Sequence, residues 1–198
     1  MAYESFTLEQ LKEKFALSIV QTKDDYAAVL PIPASQTLQT VLARGLPLLS
    51  GKTSEKARSE FVVAPVLLEV RDIVGEKIAV FSGIKFDVDR KAGLFGYCDF
   101  LVSRDPLIHS VQAPVVAIAE AKKEDLNAGI PQCVAEMVAA QRFNEQRKKA
   151  LEKIYGVVTD GSRWQFLRLI GTTISIDLRE YSIIELPQIL GILVYMVS

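Results

Sequence analysis

A mixed α/β (α+β) fold, with one central sheet and helices against its faces, is the architecture this chain predicts. Three observations lead there. Helical patterns stand at both ends of the sequence and enclose a series of β-rich segments. A long helical pattern, Ile130 to Glu145, splits those segments into an earlier and a later group. Turn-forming residues punctuate each group, at Asp89-Arg-Lys-Ala-Gly93, Asp160-Gly161 and Gly171.

The elements follow in order. Thr7 to about Val20 reads as a helix, with Thr7 as N-cap, Gln10 three residues on, and Leu8, Leu11 and Phe15 on one apolar face. Asp24 to Pro33 reads as a connector containing a short strand and two prolines, Pro31 and Pro33. Ser35 to Leu49 is helical in pattern, with Leu38, Val41, Leu42 and Leu46 in register and Gly51 as the breaker. Ser54 caps a further helix to about Val70, in which Pro65 is expected to impose a bend or a break.

Lys77 to Val88 and Gly93 to Ser103 are β-rich and joined by the Asp89–Gly93 turn. Pro114 to Glu120 is the next strand, and Ala117, Ala119 and Ala121 keep one of its sides small enough for a helix to pack close. The helix that follows opens at Gly129-Ile-Pro131, with proline in its first turn. Ile154 to Val158, Trp164 to Ile170 and Thr173 to Leu178 are strands, and Leu186 to Met196 is the final helix. No internal repeat or low-complexity tract is present. One domain over residues 1–198 accommodates these elements: a core at 54–170, an N-terminal helical extension at 1–53, and a C-terminal strand and helix at 171–198.

Composition narrows the function. An apolar fraction of 49% can fill a sizeable core. A net charge of −1 gives no global basic footprint, which argues against attachment to nucleic acid by bulk charge. It leaves room for a local basic groove, or for an acidic site neutralised by metal. Cys98 and Cys133 make neither a disulfide framework nor a zinc set, so a reducing cytoplasm is the expected compartment. The opening Met-Ala-Tyr-Glu-Ser-Phe lacks the form of a signal peptide. The apolar run Leu186 to Val197 is too short to span a bilayer, so no membrane partner is expected. His109, the sole histidine, sits in a polar loop, which argues against histidine-based triads.

The chemistry concentrates in Ala113-Pro-Val-Val-Ala-Ile-Ala-Glu-Ala-Lys-Lys123. An apolar strand delivers Glu120 and Lys122 at its end, and alternation points both to one face. Packing alone rarely needs an acid and a base at the end of a buried strand. One strand earlier, Asp99 lies within the apolar Tyr97-Cys-Asp-Phe-Leu-Val102, where a carboxylate needs a partner or a metal. Two carboxylates able to hold Mg²⁺ or Mn²⁺ through oxygen, with a lysine beside them, are the equipment for metal-assisted phosphodiester hydrolysis. The bland alternative is a surface ion pair, since Lys123-Glu124-Asp125 already begins a loop. Asp87 and Asp89 read as turn residues, Trp164 as a packing anchor, and Arg142, Arg147, Lys148, Lys149 and Lys153 as a solvated helix end that also suits phosphate contact.

This order of elements, with Asp99 on one strand and Glu120-Ala121-Lys122 on the next, resembles the PD-(D/E)XK nuclease superfamily, nearest to members like the nuclease domain of type I restriction enzymes. The resemblance covers about Ser54 to Leu169 and departs at Cys98, where the motif has a proline. It implies a restriction-endonuclease-like mixed sheet flanked by helices, with extra helices at the N-terminus and one at the C-terminus. It implies a metal-dependent nuclease acting on nucleic acid, most simply DNA, with Asp99 and Glu120 as metal ligands and Lys122 as the catalytic cation. It further implies a role for Gln132, early in the crossover helix, and for Glu55 in the first core helix, with Glu60 as rival. Read alone, Gln132 is also a plain helix-start residue, and Glu55 and Glu60 are also solvated acids near a helix N-terminus. The rival function is a catalytically silent member of the same fold, acting as an interaction or assembly module. A third is an accessory that lacks its motor. The chain has no P-loop, so translocation would need a motor-subunit partner. A homo-oligomer is the remaining partner expectation.

Overall fold

In the computed structural model, which describes residues 2–50, 54–122 and 125–198, the chain forms a seven-stranded mixed sheet with helices on both faces. The helices are α1 (Leu8–Phe15), α2 (Gln36–Gly45), α3 (Glu55–Arg58), α4 (Ala64–Ile73), α5 (Leu126–Gln146) and α6 (Leu186–Val197). The strands are β1 (Ser18–Thr22), β2 (Ala79–Lys85), β3 (Tyr97–Ser103), β4 (Val115–Ala121), β5 (Lys153–Thr159), β6 (Arg163–Ile170) and β7 (Thr173–Ser182). Their order across the sheet is β1-β7-β6-β5-β4-β3-β2. β2, β3 and β4 form an antiparallel meander, and α5 then carries the chain over to β5, which pairs parallel with β4. β5, β6 and β7 form a second meander, and β1 adds in parallel at its edge. Among the described residues, no helix is long and apolar enough to cross a membrane.

Two apolar cores sandwich the sheet. On one face α5 lays Ile130, Val134, Met137 and Val138 against Leu101, Ile118, Ile154 and Val158, with Tyr3 and Leu11 completing the layer. On the other, α2, α4 and α6 cover Phe100, Ala117, Ala119, Val157 and Phe166. The small side of β4 therefore faces α4 and α6. α5 packs tightly on the sheet at Gly156. A Cβ there would stand 2.5 Å from the Met137 sulfur and 2.8 Å from that of Cys133. Trp164 is buried as a packing anchor, with its indole N–H donating to the Gly161 carbonyl at 3.4 Å.

Several boundaries differ from the sequence reading, each for a local reason. The helix expected over Thr7 to Val20 stops at Phe15. Ala16 turns left-handed (φ 52°) and caps it, and the β-branched Ile19, Val20 and Thr22 pair with β7. The helical extension thus contributes a strand, whereas Asp24 to Pro33 contains none. Beyond Gly45 the second helix tightens into a 3₁₀ segment, Leu46–Ser50. Gly51, read as the breaker, lies outside the described residues. Pro65 falls in the first turn of α4, and the break expected there lies just before it. Ser59–Val63 widen into a π-helical stretch that joins α3 to α4, with Ala64 N–H reaching back to the Ser59 carbonyl. That loosened turn accommodates a residue with no N–H to donate. α5 begins a turn before the expected start because the Asp125 carboxylate accepts the Asn127 N–H at 2.9 Å, which leaves Pro131 inside the helix.

Because α5 is seated through Gly156, Gly156→Ala is expected to destabilise the fold by about 1–3 kcal/mol through overpacking. Urea unfolding of both proteins measures it; an unchanged midpoint would show that the two sulfur-bearing side chains move aside freely.

Candidate active site

The meander brings Asp99 and Glu120 together. β3 and β4 are antiparallel with Phe100 opposite Ala119, so the start of β3 and the end of β4 lie side by side. Asp99 is half-buried, and its Oδ2 accepts the Ala121 N–H at 2.9 Å, which ties the carboxylate to the neighbouring strand. Glu120 is 1% exposed, and its Oε1 meets the Lys122 ammonium at 2.8 Å. Lys122 Nζ also donates to Gln132 Oε1 at 3.2 Å. Its backbone N–H donates to the Thr159 carbonyl at 2.7 Å, which fixes the strand end against β5.

The first turns of α5 close over this cluster. Gly129 makes room for the lysine stem: a Cβ there would stand 2.8 Å from Lys122 Cγ and 2.7 Å from Val158 Cγ1. Gln132 Nε2 donates to Glu136 Oε1 at 3.0 Å, one helical turn deeper. The Gln132 amide is therefore oriented, oxygen toward the ammonium and nitrogen toward a carboxyl. Glu120, Lys122, Gln132 and Glu136 form one continuous hydrogen-bonded chain from the strand end into the core.

Above it opens a cleft of about 480 Å³ lined by Glu4, Glu55, Tyr97, Asp99, Glu120, Lys122, Ala128 and Gln132. The structure thus brings together Asp99, Glu120, Lys122, Gln132 and Glu55. Glu60 is not among the lining residues: five positions further along the helix it is exposed and pairs with Lys56 at 3.7 Å. Asp87 and Asp89 are engaged by Arg90 and Arg142 respectively, as turn residues. The basic stretch lies away from this cluster, with Arg142 about 15 Å from Gln132 by helical rise, Arg147 to Lys149 beyond the end of α5 and Lys153 on β5. Arg142 there contacts Asp89 and the Phe15 ring, Arg147 covers Phe143, and Lys149 donates to the Ala113 carbonyl.

Three lining or supporting residues escaped the sequence reading: Glu4, Tyr97 and above all Glu136. Glu136 had a signal, an acid set four residues after Gln132 inside the apolar run Cys133 to Ala140. It is fully buried, and burial is the main reason its carboxyl is pushed up to about 8. Burial likewise raises Glu120 well above the usual carboxylate range, helped by the nearby Glu136 and Asp99 carboxylates and opposed by Lys122. For Lys122 burial works downward, but the Glu120 carboxylate outweighs it and the ammonium is strengthened. Glu120 Oε2 and Glu136 Oε2 are buried without a hydrogen-bond partner. The Cys98 and Cys133 thiols are buried and raised for the same reason.

No protein-family model matches the chain, and no curated protein matches it.

The raised Glu136 makes stability depend on pH. Between 4.5 and about 8 the folded state holds a proton that the unfolded state releases, so stability falls as pH rises through that window. Glu136→Gln, which cannot titrate, is expected to flatten this slope in thermal melts run in EDTA from about pH 5 to pH 9. An identical slope in both proteins would assign the proton to another group.

Proposed function

We propose that this chain is a metal-dependent nuclease of the PD-(D/E)XK type, with a restriction-endonuclease-like core, that hydrolyses phosphodiester bonds in DNA. The observation that carries this reading is the position of Lys122. Its ammonium is pinned between Glu120 and Gln132 at the mouth of a cleft that Asp99 also lines.

Asp99 and Glu120 are the residues that would hold Mg²⁺ or Mn²⁺. Their donor atoms are the oxygens a hard cation takes. Glu120 Oε2 is a buried oxygen without a partner, which a cation would satisfy. Among the described residues no group of three or more His, Cys, Asp or Glu side chains is arranged for a metal, so this pair would need water to complete the shell. When bound, the metal supplies Lewis-acid polarisation and a more acidic water. The chain's own part is positional. Asp99 is braced by the Ala121 N–H, and Gln132 and Glu120 aim the Lys122 ammonium at the place where negative charge develops on a phosphate oxygen. Glu55 stands among the lining residues as a further oxygen. In this reading the chain works in a reducing cytoplasm, in keeping with its two free, buried cysteines.

The assembly-module reading has one observation in its favour. Glu120 Oε1 and the Lys122 ammonium already pair at 2.8 Å, as they would in a purely structural ion pair.

Activity separates the two. Purified chain with Mg²⁺ or Mn²⁺ is expected to cleave DNA, and Lys122→Ala to lower the rate about 10²-fold or more. Glu120→Ala is expected to do at least equal harm, while DNA affinity changes far less in both. Calorimetric titration is expected to show Mn²⁺ binding by wild type and its loss in Asp99→Ala. A wild type that cleaves nothing with either ion would leave the module as the better reading.

A further inference from the structure

The cleft carries a second signal, in its rim. Tyr97 is the first residue of β3, two before Asp99, and its side chain lines the same cleft. It is 62% exposed. Its hydroxyl makes no hydrogen bond and its ring no aromatic or cation–π contact with a described residue, whereas the other tyrosine rings near the sheet core are buried or packed on another ring. Across β2, Lys85 stands opposite Tyr97 but is drawn to Asp87 at 3.5 Å, away from any cation–π contact with it. An aromatic face left open beside a phosphate-cutting centre is what a nucleobase stacks on.

The charge around the cleft disfavours a duplex. Its described lining contains the carboxylates Glu4, Glu55, Asp99 and Glu120 against the single ammonium of Lys122. A cation held by Asp99 and Glu120 still leaves Glu4 and Glu55 facing the substrate. Glu4 is held at the rim because its neighbour Tyr3 is fixed, its hydroxyl donating to the Phe86 carbonyl at 2.6 Å and its N–H to the Phe95 carbonyl at 3.2 Å. A duplex presents two rows of phosphates and is gripped by several lysines and arginines. Arg142 on α5 lies about 15 Å away by helical rise, Arg147 and Lys149 follow beyond the helix end, and all three are engaged elsewhere. A cleft of about 480 Å³ matches a small-ligand pocket in scale, which suits one nucleotide unit turned out of any stack.

We infer that the site takes unpaired DNA, with the base next to the scissile phosphate stacked on Tyr97 while that phosphate lies at Asp99, Glu120 and Lys122. The inference rests on the nuclease reading for its chemistry, but the stacking platform is testable by binding alone. The probes are a fluorescein-labelled oligonucleotide of about 20 nucleotides, its blunt duplex, and the same duplex with an unpaired tail.

Fluorescence anisotropy in Ca²⁺ is expected to show the single strand and the tailed duplex bound at least about 10-fold more tightly than the blunt duplex. Tyr97→Ala is expected to lose about 10-fold of that affinity, and Tyr97→Trp, which keeps a ring, to restore it. In Mn²⁺, cleavage is expected to follow the same order, with Tyr97→Ala acting on KM more than on kcat. Tyr97 is exposed, so neither substitution threatens the fold. Blunt duplex bound or cut as well as single strand, or Tyr97→Ala without effect on single-strand affinity, overturns the inference. No binding of any probe overturns it as well. Tyr97-dependent binding of the single strand without cleavage in Mg²⁺ or Mn²⁺ supports the stacking platform and overturns the nuclease reading.

Discussion

The burial of Glu120 at the end of β4 is the constraint on which the site depends. A carboxyl almost sealed from water must find compensation, and the fold supplies it one side chain at a time. Lys122 follows two residues later on the same strand and pairs with it. Gly129 then has no side chain, because the lysine stem occupies the space a Cβ would fill. Gln132 takes the remaining reach of the ammonium, and Glu136 holds the amide of Gln132 in place. An apolar pair of similar volume would stabilise the same spot as well or better, since the attraction between buried charges rarely exceeds the cost of drying them. The presence of this arrangement, with an oxygen of Glu120 still unpartnered, is therefore hard to explain by packing.

Much of this was legible in the amino-acid order because it rests on local rules. The Ala117-Ile-Ala-Glu-Ala-Lys122 alternation shows which side chains share a direction, and the Asp89–Gly93 turn brings β2 back along β3. The later strands were equally plain, since Asp160-Gly161 and Gly171 separate them. What could not be read depends on long-range choices. Ser18–Thr22 continues the apolar spacing of the helix before it, and only β7 makes a strand of it. Glu55 and Glu60 sit in similar local settings, and the direction of the helix against the sheet end decides which lines the cleft. Glu136 differs again. Its helical spacing from Gln132 was visible, but its burial depends on the seating of α5 against β5 at Gly156.

In the nuclease reading, the same cluster would couple charge to occupancy. Glu120 and Glu136 are both held toward their neutral forms by burial, with nearby carboxylates adding to it. A divalent ion taking up Glu120 needs that carboxylate ionised, so ion binding and proton release would be linked. Lys122 lies between the two acids through Gln132, and any change in the charge of one is felt along the chain. A cluster connected this way is coupled, and effects of single substitutions within it should not add.

The placement of β1 reaches beyond the site, into how the molecule is made. Thr22 donates its hydroxyl to the Ile176 carbonyl across 154 positions of sequence, and the Asp177 carboxylate receives the backbone N–H groups of Asp24 and Asp25. A ribosome releases the front of the chain long before its partner strand exists. During that interval Ser18–Thr22 is an unclaimed ribbon with free backbone donors, while the β2–β4 meander can already assemble from neighbours. Closing the sheet with its earliest strand makes that edge the last part of the protein to settle, and the one most in need of shelter during synthesis.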